Sequence, residues 1–155
     1  MKKIDEAGIK LCSIQGNIFT QSLSLDCSSA IFIRRFMYSD FAKRLDECDF
    51  FSQSCNTNVF VNEINEEYKS KKYGKIKYSY EELYWIGYIY RYFCYTQDKS
   101  SKNVFKIINS NEIRKLYFPY HSLDPKQVVE RILESKNIKN VDLISKGVEL
   151  YRKIL

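Results

Sequence analysis

The chain has 155 residues, 45% hydrophobic and 28% charged, with a net charge of +6. That length suits one domain with a real core, needing neither metal nor disulfide staples. No apolar run approaches the roughly 18 residues of a membrane span, and at the start (MKKIDEAGIKLC) carboxylates follow the lysines where a signal peptide would place its apolar region, so none is expected. A cytoplasmic protein is therefore expected, comprising a single domain over residues 1–155.

Few segments alternate as strands do, and helical spacing dominates. Ile4, Leu11, Ile14, Ile18 and Phe19 mark a first amphipathic helix, weakened on propensity by Gly8 and Gly16. Ser28 or Ser29 caps a second, with Phe32, Ile33, Phe36 and Met37 inward. Ser39 and Asp40 start a short third helix through Phe41, Ala42 and Leu45, and residues from Asp46 to Asn58 read as a loop. Val59 to Tyr68 reads as helix, because Val61, Ile64 and Tyr68 fall at helical steps and no partner strand is evident.

Basic residues then cluster as Lys69, Lys71, Lys72, Lys75 and Lys77 around Gly74. Residues 1–65 carry a net charge of −1 and residues 66–155 a net of +7. The cluster is either a solvated loop or a contact for phosphates or an acidic partner.

The segment from Tyr78 to Tyr95, YSYEELYWIGYIYRYFCY, holds nine aromatic residues in eighteen positions, against 15% for the whole chain. Ser79 heads it with Glu82 three residues on, a capping box. A helix apolar on nearly every side belongs at the centre of a bundle, so the expected fold is all-α, packed around a helix over about 79–97. On it Tyr84, Gly87, Tyr88, Arg91 and Tyr95 share one face. Arg91 beside a glycine notch and tyrosine rings could hold a carboxylate or phosphate. It could equally form an internal ion pair with Asp98, Asp124 or Glu130.

Ser100 or Ser101 caps the next short helix, SSKNVFKII, and a further one runs through Ile113, Leu116 and Tyr117 to end near Pro119. Asp124-Pro125 opens another, with Val128, Val129, Ile132 and Leu133 as its stripe. In the last segment, 136–155, Val141, Ile144, Val148, Tyr151 and Leu155 form a heptad-like seam for docking on the bundle or for a homodimer through 141–155.

Chemistry is thinly represented. His121 is the single histidine, in FPYHSLDP, which argues against a histidine-based triad and a zinc site. Cys12, Cys27, Cys48, Cys55 and Cys94 form no CxxC pair, and neither GxGxxG nor GxxxxGK[ST] occurs. No catalytic residue, metal or cofactor is assigned. The basic half and the tyrosines leave nucleic-acid binding open, although the segment SSKNVFKIINSNEIRKLYF makes a poor helix-turn-helix because Ile113, Leu116, Tyr117 and Phe118 are apolar. An enzyme acting on a phosphorylated small molecule is a more distant reading.

The ordered series YWIGYIYRYFCYT, SSKNVFKII, EIRKLYFPYHSLDP and VVERILE resembles a family of small Gram-positive bacterial proteins assigned by association as antitoxins of toxin–antitoxin modules. The resemblance spans about Ile31 to Glu134, most densely Tyr84 to Glu134. It rests on Trp85, Gly87, Tyr88, Arg91, Tyr92, Ser100, Ser101, Lys102, Tyr120, His121, Asp124 and Pro125. Phe93 stands where a tryptophan is expected, and Ser135 to Leu155 extends past the usual end. The resemblance implies a non-enzymatic cytosolic protein that binds a toxin, encoded by a neighbouring gene, by direct contact. Tyr84, Tyr88, Arg91, Tyr95, Tyr120 and His121 are then the expected partner-binding residues.

Overall fold

The computed structural model describes residues 2–47, 61–64, 66 and 74–138. Lys69, Lys71, Lys72 and the seam from Val141 to Leu155 lie outside the described residues, as does most of the expected 46–58 loop.

The fold is all-α. In chain order come α1 (Glu6–Gln21), a 3-10 turn (Ser22–Ser24), α2 (Ser29–Met37), α3 (Asp40–Asp46), α4 (Tyr80–Gln97), α5 (Ser101–Ile107), α6 (Ser110–Tyr120) and α7 (Pro125–Ser135). Residues 61–64 are also helical, with Val61 and Ile64 buried. No strand occurs among the described residues.

Side-chain caps explain where the helices start. Asp5, Ser28, Ser39 and Ser100 each accept a backbone N–H from the first turn of α1, α2, α3 and α5. Ser79 with Glu82, and Asn109 with Glu112, close full capping boxes on α4 and α6. Asp124 caps α7, and Pro125 supplies the preset φ of its first residue. Each such cap is worth about 1 kcal/mol.

The helix expected to end near Pro119 does so. It closes one residue on, at Tyr120. Pro119 sits in the last turn, where only one intrahelical bond is lost to its missing N–H.

The core is built around α4, which packs on α1, α5, α6 and α7. Phe19 of α1 sits at an aromatic junction, edge-on to Phe36 at 5.0 Å, Phe32 at 5.8 Å and Tyr90 at 6.4 Å. Edge-to-face pairs of this kind add about 0.5–1.5 kcal/mol beyond area burial. Fully buried Tyr90 keeps its polar end satisfied by donating to the Ile108 carbonyl at 2.8 Å. Cys12, Cys27 and Cys94 are buried free thiols.

α1 and α4 cross antiparallel and very closely. Gly8 meets Tyr95 at one end, and Gly16 meets Tyr84 and Gly87 at the other. The two α1 glycines that lower helix propensity are thus what admits the bulky aromatic helix. The propensity deficit, about 1 kcal/mol per glycine, is offset by the packing it allows.

Candidate functional site

The face of α4 expected to meet a partner is partly covered by α1: Gly87 and Arg91 are buried, while Tyr84, Tyr88 and Tyr95 stay half-exposed. Tyr84, Gly87, Arg91 and Tyr95 lie against α1, and the notch left by Gly87 is filled by the Gln15 carbonyl and the Phe19 ring. Tyr84 and Tyr88 lean together at 6.2 Å. Tyr95 donates its hydroxyl to Asp5 at 2.7 Å, and Lys2 lies over its ring at 4.4 Å.

Arg91 is 1% exposed and is an internal anchor. Its Nε donates to Gln15 at 2.7 Å, Nη1 to Asp46 at 2.6 Å and Nη2 to Ser101 Oγ at 2.8 Å. The ion-pair partner is therefore Asp46, not Asp98, Asp124 or Glu130. Asp98 is an exposed cap residue of α4 in the left-handed region (φ 53), and Asp124 gives its carboxylate to the Lys126 amide of α7. Asp46 does not open a loop either: it is the last residue of α3. Its second oxygen accepts the Ser101 amide at 2.8 Å, and Ser101 Oγ donates to its first at 2.6 Å. One guanidinium thus ties together α1, α3, α4 and α5. A buried arginine satisfied on three sides avoids the cost of an unpaired buried charge.

The described part of the basic cluster splits in two. Lys75 is exposed, whereas Lys77 donates to the carbonyls of Leu25 and Cys27. Together with Gly74 (φ 72) against Ser28, and Ile76 accepting the Ser29 amide at 3.0 Å, it straps the chain across the start of α2. Lys77 is structural.

A separate exposed surface lies at the far end of α6. Phe118 is 85% exposed, the most exposed large apolar side chain among the described residues. His121 caps the helix beside it, with Nδ1 donating to the carbonyls of Tyr117 at 3.0 Å and Phe118 at 3.1 Å. In the neutral ring this places the proton on Nδ1 and makes Nε2 the acceptor. The His121 ring stacks on Tyr117 at 4.8 Å and lies 6.4 Å from Phe118, while Tyr117 meets Trp85 of α4 edge-on at 5.6 Å. Tyr120 faces the other way, packed on the core with Arg131 5.4 Å above its ring. The outcome is a shelf of Tyr117, Phe118 and His121, joined to α4 through the Tyr117–Trp85 contact.

Of the expected binding residues, the structure therefore brings His121 to an exposed surface and puts Arg91 in the interior. Phe118 was not among the expected binding residues. Its signal was present: the inward stripe of α6 is Ile113, Leu116 and Tyr120, and Phe118 falls off it. Asp46 and Gln15 had no such signal, since nothing local marks a polar residue as the partner of a distant arginine.

No group of His, Cys, Asp and Glu among the described residues is arranged to hold a metal ion, and no helix among them is long and apolar enough to cross a membrane. Compared with known proteins, the chain matches no protein-family model, no curated protein and no solved structure. Fold and site together define an all-α protein with an internal arginine anchor and an exposed aromatic shelf.

Proposed function

We propose that this chain is a non-enzymatic interaction protein, an antitoxin that neutralises a toxin from a neighbouring gene by direct contact. The observation that carries the interaction reading is Phe118, 85% exposed on a capped helix and flanked by stacked His121 and Tyr117. An aromatic side chain standing in water on a capped helix is what an interface anchor looks like before its partner arrives. The toxin as partner comes from the motif resemblance, and Tyr120, His121, Asp124 and Pro125 beside the shelf belong to that motif.

Co-expression with the adjacent gene product tests the reading. A co-purifying complex and relief of growth arrest are expected. No complex, or a complex without relief, would overturn the antitoxin assignment. Nucleic-acid binding has less support, because Lys77 of the basic cluster is engaged by two backbone carbonyls.

A further inference from the structure

A cleft of about 310 Å³ opens where the ends of α3 and α4 meet the start of α5. That places it at the small end of the range for small-molecule sites, about 300–1,000 Å³. Its floor is the Arg91–Asp46 pair. Because Arg91 is fixed on three partners and Asp46 on the Ser101 amide as well, the floor is rigid before any ligand arrives. Preorganisation of this kind lowers the entropic cost of binding.

Three lysines from separate parts of the chain line the cleft: Lys2 ahead of α1, whose ammonium lies over the Tyr95 ring at 4.4 Å, Lys43 on α3 and Lys99 at the α4–α5 junction. Neither Lys43 nor Lys99 forms an ion pair among the described residues. The Asp46 charge is matched by Arg91 at 2.6 Å. The mouth is left with three lysines against the carboxylates of Glu47 and Asp98. Among the lining residues the charge left unmatched is positive, with Asp5 the further carboxylate that Lys2 meets outside the lining, and a concave wall concentrates the field of such a set. Glu47 and Asp98 add hydrogen-bond acceptors on the same rim.

We propose that this cleft binds a small metabolite carrying a phosphate or carboxylate group. The anionic head lies among Lys2, Lys43 and Lys99 above the fixed Arg91, and hydroxyl groups of its body donate to Glu47 and Asp98. The site is separate from the Phe118 shelf, so it stands or falls independently of the partner reading.

Amide NMR titrations of the full chain with inorganic phosphate and with succinate, at constant ionic strength, test it. The constant ionic strength removes general screening effects. Saturable shifts are expected at Lys43, Lys99 and Ser100, with Kd on the order of 1 mM. The response to phosphate against succinate identifies which head group the cleft prefers. The double variant Lys43→Met, Lys99→Met should weaken binding by roughly tenfold with an otherwise unchanged spectrum, whereas Lys126→Met on α7 should bind as the parent does. Shifts that stay linear in concentration with both anions would overturn the proposal. So would equal weakening by the Lys126 variant.

Discussion

Gly87 of α4 and Gly16 of α1 meet with no room for a methyl group between them. A β-carbon on Gly87 would lie 3.0 Å from the Gly16 α-carbon and 2.8 Å from the Gln15 carbonyl. Both obstacles are backbone, which cannot swing aside as a side chain can. Gly87→Ala is therefore expected to destabilise the protein by about 1–3 kcal/mol despite alanine's better helix propensity. Gly8→Ala is the comparison, since the nearest atoms to its β-carbon belong to side chains, the Tyr95 ring and Ile4. It should cost clearly less. Urea denaturation of the two variants checks the order, and equal costs would argue against a backbone crossing at Gly87.

Arg91 and Asp46 make a second quantitative prediction. Arg91→Met leaves the Asp46 carboxylate, 13% exposed, without its counter-charge. The loss should be about 3–5 kcal/mol, as for other broken buried pairs. Asp46→Asn strands the guanidinium in the same way. The double variant should be less damaged than the sum of the two by about 1–3 kcal/mol, a coupling that a double-mutant cycle in denaturant measures. Strict additivity would mean that the pair is not formed in solution.

The pH profile should fall at both ends. On the alkaline side, burial pushes Cys12 up to about 12 and Cys94 up to about 11 from an ordinary 9.0, with Arg91 opposing in each case. Burial likewise pushes Tyr92 up to about 12. The folded state keeps these protons where the unfolded chain loses them. Their contribution is complete below pH 9 and is lost as pH rises through 11 to 12, at up to about 1.4 kcal/mol per pH unit for each thiol.

On the acid side, burial raises Glu82, but the Arg114 hydrogen bond and the Ser79 cap outweigh it and hold the carboxyl below its usual 4.5. The Lys136 hydrogen bond does the same for Glu112. Both contributions are present above pH 4.5 and disappear as pH falls through the lowered values, loosening the caps of α4 and α6 together. Thermal melts across pH check this. Removing Glu82 with Glu112, as glutamines, should flatten the acid limb and leave the alkaline one.

The local part of the fold was legible because its determinants are local. Ser79 with Glu82 and Asp124 with Pro125 announce two helix starts within four residues each. The stripe of Val128, Val129, Ile132 and Leu133 is buried as its period requires. The site was read less well, because its determinants are long-range. The tyrosine and arginine face of α4 looks like a recognition surface until α1 is laid on it, and only tertiary packing says that Gly8 and Gly16 make α1 the element that fits. Asp46 reaches Arg91 from 45 positions away, and no spacing rule connects them. Phe118 could have been found by asking which aromatic of α6 lies off its apolar stripe.

The central claim is that partner contact runs through the Phe118 shelf and not through the Arg91 face. The most direct test is the affinity of Phe118→Asp for the neighbouring gene product, measured by calorimetry beside the parent chain. The side chain is 85% exposed, so the fold should be unchanged by circular dichroism. Affinity should drop at least about tenfold, the loss of 1.4 kcal/mol or more expected for an interface anchor. Parent-like binding by Phe118→Asp would contradict the account.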